Sequence, residues 1–266
     1  MLRRHFTNVV NSNSNNEEGV DLSLPYVTFE AQEANSTIGL IKINQSLQYS
    51  TDTVTWKTMV NNTTITLDNV GDKVYIRGEL VYTNTSSYYT RFKMTGKIAA
   101  TGNCNALWNY KDLNAPLKEY CGYKMFLYCT SLTTAPALPA TELAMSCYYS
   151  MFSNCESLTI APELPATTLA EQCYYSMFSN CESLTIAPVL PATTLTKFCY
   201  AQMFSGCTSL NYIKCLVTNI VDSDQVNAWV SGVSSAGTFV KHPDMDDWST
   251  GTQGIPEGWT IIDAEI

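Results

Sequence analysis

LPATELAMSCYYSMFSNCESLTIAPE at residues 138–163 is followed directly by LPATTLAEQCYYSMFSNCESLTIAPV at residues 164–189. The two copies differ at four positions. More divergent copies flank them, LNAPLKEYCGYKMFLYCTSLTTAPA at 113–137 and LPATTLTKFCYAQMFSGCTSLNYIKC at 190–215, and all four share C-x3-M-F-x2-C-x-S-L. A fixed period of this length is typical of repeats that stack and bury a common core.

Within one copy, the apolar spacing predicts a helix followed by a strand. Leu143, Cys147 and Met151 are spaced i, i+4 and i+8, which places them on one helix face. In the following segment, Leu158 and Ile160 alternate with smaller residues, which predicts a short strand with these two side chains buried. Stacking such units predicts an α/β leucine-rich-repeat solenoid with 26-residue repeats over residues 113–215.

The cysteines follow the same period. Eight of the ten form two series with a step of 26: Cys121, Cys147, Cys173 and Cys199, and Cys129, Cys155, Cys181 and Cys207. Such regularity indicates a small buried side chain once per repeat rather than a disulfide framework. No CxxC pair occurs and the histidines are His5 and His242, so we expect no metal site.

The segments around the repeats have different patterns. Residues 21–96 contain seven short alternating segments, which predict a small all-β sandwich domain before the repeats. We expect residues 97–112 to form a linker and N-terminal cap, and residues 216–266 a degenerate fifth repeat and a C-terminal cap. Residues 1–20 are predicted to be a polar, disordered N-terminal arm.

Composition restricts the partners. The formal net charge is −9 and the isoelectric point about 4.7, which disfavours nucleic-acid binding. No stretch approaches the ~20 apolar residues of a membrane span, so no membrane insertion is expected. No signal peptide is visible near Met1, because no apolar run follows Arg3 and Arg4.

The repeats resemble the BspA-like leucine-rich repeats found in surface proteins of Bacteroidetes. MFSNCESLTIAPELPATTLA and MFSGCTSLNYIKC carry the resemblance, and the upstream segments TFEAQ, YSTDTVTWK, NVGDKVYIRGE and FKMTGKIAATGN are similar to the module that precedes these repeats. The resemblance implies a curved solenoid that acts in adhesion or ligand binding, with no cofactor and no catalytic residues. Modules related to these repeats also occur in phages of these bacteria.

This resemblance implies a protein that recognises a protein or glycan on a cell surface. One setting is a phage tail or virion surface, where the N-terminal arm and the β-sandwich would contact other virion proteins. The alternatives are a bacterial cell-surface adhesin and a purely structural virion protein. We expect location on a virion or at the cell surface in each case.

Two surfaces of the repeats are candidates for ligand binding. The strand face would present small neutral side chains to a broad partner, and a strip of helix tyrosines would offer rigid amphipathic area. The simpler alternative for the tyrosines is that one of each pair packs inside. The candidate residues are Thr133, Thr159, Thr185, Ala161, Ala187, Glu163, Tyr148, Tyr149, Tyr174 and Tyr175.

Two groups of acidic residues are candidate chemical sites. Glu156 and Glu182 occupy equivalent positions in successive repeats and could pair as in glycoside hydrolysis, but a solvated edge is the favoured interpretation. Asp244, Asp246 and Asp247 lack the rest of a calcium-loop pattern, so a turn or helix cap is favoured. We therefore expect no enzymatic activity.

Overall fold

The computed structural model describes residues 20–80, 85–245 and 248–265, so nearly all of the predicted N-terminal arm, together with Asp246 and Asp247, lies outside the described residues. The described chain contains twelve strands, one four-residue α-helix and one short 3-10 helix at Ser223–Val226. The remaining elements are β1 (Val27–Ala31), β2 (Ser36–Lys42), β3 (Ser46–Ser50), β4 (Lys57–Thr58), β5 (Thr64–Leu67), β6 (Lys73–Glu79), β7 (Arg91–Thr95), β8 (Ile98–Thr101), α1 (Ala106–Asn109), β9 (Leu132–Thr134), β10 (Tyr212–Cys215), β11 (Thr238–Lys241) and β12 (Thr260–Asp263).

The first eight strands form two sheets. One has the order β4-β3-β6-β1-β8 and continues into β9, and the other has the order β5-β2-β7. Alternate residues of β1 and β6 are buried, as expected for strands with one face on a core. Phe29 on β1 packs against Phe92 on β7, with ring centroids 5.7 Å apart, so the two sheets share that core.

The predicted α/β leucine-rich-repeat solenoid is wrong. Strands make up 26% of the structure and helix only 3%, and the sheets are antiparallel, mixed and parallel. Residues 113–215 contain the short strands β9 and β10 and no helix. The segment predicted as a helix is a series of consecutive turns from Met145 to Asn154.

Two alternating sets of hydrogen bonds explain why no helix forms. The Met151 N–H donates to Tyr148 O at 3.1 Å, three residues back, as in a turn. The next N–H, of Phe152, instead donates to Met177 O at 3.0 Å, in the following repeat. An α-helix would use every N–H within the segment, to the residue four back. Here every second N–H binds one repeat to the next.

Left-handed residues make this alternation possible. Ser150 has φ 47° and Asn154 has φ 59°, and their equivalents Ser176 and Asn180 have φ 50° and 58°. A residue with positive φ has a left-handed backbone conformation, and such a residue cannot continue a right-handed helix. The four copies therefore stack as layers of turns in register, which we call the repeat stack.

The interior of the repeat stack consists of columns of identical side chains. Phe152 and Phe178 stack with centroids 5.8 Å apart, and Tyr148 and Tyr174 stack at 6.1 Å. The phenylalanine column begins at Phe92 on β7, which stacks on Phe126 at 5.2 Å. The core of the first domain therefore runs without a break into the core of the repeats.

The predicted burial of the cysteines is confirmed. All ten side chains are buried and none forms a disulfide. In the second series each thiol donates one layer back: Cys181 Sγ to Phe152 O at 3.2 Å, and Cys207 Sγ to Phe178 O at 3.0 Å. The thiol thus fills space and also hydrogen-bonds a buried carbonyl.

The layers continue past Cys215. The N–H groups of Phe204 and Gly206 donate to Trp229 O and Ser231 O at 2.8 and 2.7 Å, which repeats the pattern between the copies. Strands β10, β11 and β12 form a parallel sheet, and Trp248 stacks on Trp229 at 5.6 Å over this last layer. No helix in the described residues is long and apolar enough to cross a membrane.

Candidate binding surface

A row of strand positions crosses the repeat stack on the outside. It begins at β8, which pairs in parallel with β9, and continues through single-residue bridges from Thr134 to Ile160 and from Ile186 to Tyr212. Because these positions repeat every 26 residues, the side chains of successive layers stand beside one another at the strand spacing of about 4.8 Å. This row carries the predicted threonine surface.

The predicted threonines are only partly available to a ligand. Thr159 and Thr185 are exposed, and Thr133 is half-buried. The hydroxyl of Thr133 donates to Ile98 O at 3.1 Å, and that of Thr159 donates to Thr133 O at 3.3 Å. These hydroxyls therefore also stabilise the contact between layers.

The remaining strand-face candidates divide between surface and core. Glu163 is exposed and Ala161 is half-buried. Ala187 is buried and packs within the core, so its predicted role as a contact residue is wrong.

The expected burial of Ile160 is also wrong. Ile160 is 62% exposed, and its equivalent Ile186 is 58% exposed. The alternating pattern requires a continuous strand, but Ile160 forms only an isolated bridge before Pro162. Thr159 and Ile160 therefore both point outward. With Val189, which is 48% exposed, they form what we call the repeat face: Thr159, Ile160, Thr185, Ile186 and Val189.

A shallow apolar groove of about 340 Å³ adjoins the repeat face. Its walls are rigid, because proline rings supply much of them and lose little conformational freedom on binding. The carboxylate of Glu163 is its single charged group. The groove is lined by Ala161, Pro162, Glu163, Leu164, Pro165, Pro188, Val189 and Pro191.

The tyrosines divide as the simpler alternative predicts. Tyr148 and Tyr174 are buried in the core, so they cannot contact a ligand and their candidacy is wrong. Tyr149 and Tyr175 are half-buried, with centroids 4.6 Å apart and an interplanar angle of 6°. Burial raises the pKa of Tyr149 to about 12. Their ring faces cover each other, which leaves mainly edges for contact.

The acidic groups form no metal site in the described part of the chain, where no three His, Cys, Asp or Glu side chains converge. Glu156 and Glu182 are both exposed on adjacent layers, as a solvated edge would be. The calcium alternative involved Asp246 and Asp247, which lie outside the described residues.

Sequence reasoning missed an aromatic cluster on the outer face of the six-stranded sheet. The Arg77 guanidinium lies 3.8 Å from the Trp56 ring and 4.3 Å from the Tyr110 ring, and its Nε donates to Gln48 Oε1 at 3.0 Å. The Tyr26 ring adjoins that of Trp56 at 6.0 Å. Trp56 ends the segment STDTVTW, and Arg77 occupies an outward position of β6, so the alternation of β6 was the available signal.

No family model matches this chain, and neither the curated proteins nor the solved structures contain a match. Function is therefore inferred from the surfaces of the molecule.

Proposed function

We propose that this protein is a non-catalytic recognition protein that binds a protein on a cell surface through the repeat face. The observation that carries the proposal is the exposure of Ile160 and Ile186, which occupy equivalent positions in successive layers, with Val189 also exposed three residues beyond Ile186. Fully burying an isoleucine side chain contributes roughly 1.5–3 kcal/mol, so adjacent exposed isoleucines leave substantial binding energy unused. Clustered apolar residues on an otherwise polar surface are typical of interaction sites.

The scaffold under the repeat face supports this interpretation. The layers beneath it are fixed by hydrogen bonds between repeats and by buried columns such as Phe152 on Phe178. A surface held this firmly loses little conformational entropy when a partner binds. The isoleucines contribute nothing to that core, so their apolar character serves another purpose.

The chemistry of the face favours a protein over a stacked sugar. Sugars commonly bind on flat aromatic rings, whereas Ile160, Ile186, Val189 and the proline groove are aliphatic. Glu163 lies beside the groove, and the whole chain carries a net charge of −9. A partner with an apolar centre and a basic rim would complement both features.

The test replaces both isoleucines with aspartate, Ile160→Asp with Ile186→Asp, in one variant. Fluorescently labelled protein would be incubated with intact Bacteroidetes cells and binding measured by flow cytometry. We expect wild-type binding and at least a tenfold loss in the double variant, which is about 1.4 kcal/mol. The matched control is Val54→Asp with Val221→Asp, because these side chains are exposed at 81% and 80% away from the repeat face.

Each result decides the proposal. Equal binding by the wild type and the isoleucine variant, with both folded by circular dichroism, would show that the face is not the contact surface. Absence of binding to every strain tested would contradict the cell-surface role. A purely structural role in a particle instead predicts that electron microscopy of the assembled particle shows the repeat face buried against neighbouring subunits.

A further inference from the structure

One arginine is held on the outer face of the six-stranded sheet by aromatic rings and an amide. Arg77 occupies an outward position of β6, and Gln48 lies directly opposite it on β3. The guanidinium carbon lies 3.8 Å from the centroid of the Trp56 ring and 4.3 Å from that of Tyr110, and Nε donates to Gln48 Oε1 at 3.0 Å. We call these four residues the Arg77 cluster. Its contacts fix the orientation of the guanidinium before any ligand binds.

The far end of this guanidinium can be reached by a ligand. Its Nε is used, but the two Nη groups have no hydrogen-bond acceptor within the described residues. These Nη atoms do not belong to the buried side-chain atoms that lack a partner, so they face solvent. Arg77, Trp56 and Tyr110 are each half-buried, which leaves part of every side chain accessible. The cluster therefore presents a pair of oriented, accessible donors.

The charges around Arg77 favour a ligand with a single negative charge. On the same face, Lys73 Nζ lies 3.3 Å from Glu30 Oε2. Lys111 Nζ lies 2.6 Å from Glu79 Oε1, so these four side chains balance in pairs. No carboxylate of the described residues lies within 4.0 Å of the Arg77 guanidinium, which leaves one positive charge over. A monoanion would neutralise it, whereas a dianion would add excess charge to a chain that already carries −9.

We propose that the Arg77 cluster binds a ligand through a free carboxylate group. The two Nη groups offer parallel N–H donors that match the two oxygens of a carboxylate, which gives a bidentate, charge-assisted pair. The rest of the ligand would lie against the accessible part of the Trp56 ring. A sugar acid and the C-terminus of a peptide both carry such a group. The site lies on the N-terminal sheets and does not depend on the repeat face.

Titration of the full chain, followed by two-dimensional proton–nitrogen NMR, tests the proposal. The reporter is the indole N–H of Trp56, which donates to Thr53 O at 3.1 Å and is assigned by its loss in Trp56→Phe. N-acetylglycine and glucuronate carry the carboxylate on a peptide unit and on a sugar, and N-acetylglycinamide is the neutral match. We expect a saturable shift of this signal, with a millimolar dissociation constant, for at least one acid and no shift with the amide. The acid that binds more tightly identifies the source of the carboxylate.

Three results of this titration would overturn the proposal. An equal shift with the amide would show that the carboxylate is not recognised. Tighter binding of inorganic sulfate, a dianion, would contradict the preference for a single charge. A Trp56 signal that stays unchanged with both acids would mean that the cluster is no binding site.

Arg77→Lys tests the location. It keeps the charge but loses the fork of donors, so we expect the affinity for the acid to fall about tenfold. The matched control is Arg91→Lys, because Arg91 also lies over a ring, that of Tyr128 at 5.3 Å, and its Nε donates to Leu127 O at 3.1 Å. This control should bind like the wild type.

Unchanged affinity in Arg77→Lys, or an equal loss in both lysine variants, would place the binding elsewhere. If Arg77→Lys fails to fold, the shift of the Trp56 signal in the wild-type chain still decides the location. Cell binding that depends on Ile160 and Ile186 is measured separately, so either proposal can fail alone.

Discussion

Asn180 offers a substitution whose sign distinguishes a layer of turns from a helix. Its φ is 58°, its N–H donates to Ser205 O at 2.7 Å, and its side chain is exposed. Replacing it removes no buried packing. Both Asn180→Ala and Asn180→Gly lose the side-chain bond from Asn180 Nδ2 to Asn154 Oδ1, so that loss cancels when the two variants are compared.

The expected difference follows from the backbone. An alanine in the left-handed region costs about 1–2 kcal/mol, which glycine avoids. Glycine in turn loses about 0.4–1 kcal/mol more through the entropy of the unfolded chain. We therefore expect Asn180→Gly to be more stable than Asn180→Ala by about 0.8 kcal/mol, the difference between the midpoints of these two ranges. In a helix interior the order reverses, with alanine about 1 kcal/mol more stable than glycine.

Urea unfolding followed by tryptophan fluorescence measures both free energies. The control site is Glu182, which is exposed two residues further on and has no positive φ. There the alanine variant should be more stable than the glycine variant. If the alanine variant is also the more stable one at position 180, the segment is a helix and not a series of alternating turns.

Three further outcomes are expected. Phe178→Ala removes a fully buried ring between two stacked neighbours and should lower the free energy of unfolding by about 3–5 kcal/mol in the same assay. A loss below about 1 kcal/mol would show that the phenylalanine column is loosely packed. The ten thiols should fail to react with a disulfide reagent in the folded protein and should all react in denaturant, whereas rapid reaction of the folded protein would contradict their burial. The free energy of unfolding should fall as pH rises from about 9 toward 12. Burial raises the pKa of the Cys199 thiol from 9.0 to about 11 and that of Cys207 to about 12. At the start of that pH range only the unfolded chain therefore releases these protons, which favours unfolding. Cys199→Ala should show a shallower fall, and an identical pH profile would exclude this thiol as a cause.

The sequence identifies the buried positions of the repeats better than it identifies their backbone. Cys147 and Met151 are buried as predicted, yet spacing of i and i+4 cannot separate a helix turn from two successive tight turns. The distinguishing signal lay at the residue before the second cysteine. In three of the four copies that position holds Asn154, Asn180 and Gly206, and asparagine and glycine are the residues that tolerate positive φ; the first copy has Tyr128 there, also with φ 62°.

The candidate surface was harder to predict because it depends on where strand pairing stops. The alternation from Leu158 to Ala161 predicts a buried Ile160, but the strand ends in a single bridge and Ile160 faces solvent. The Arg77 cluster depends on contacts between residues distant in sequence, such as those of Arg77 with Trp56 and Tyr110, and periodicity does not encode such contacts.

Because hydrogen bonds join each layer to the next in the same way, the stack could be lengthened by inserting further copies of the repeat. Residues 138–163 and 164–189 present almost identical upper and lower surfaces, so a further copy inserted between them would meet the same donors and acceptors that it offers. Each insertion would move the C-terminal cap about 4.8 Å from the N-terminal sheets, the spacing of neighbouring strands. It would also add one isoleucine to the repeat face. Reach and avidity would therefore increase together, by duplication of one short segment of sequence.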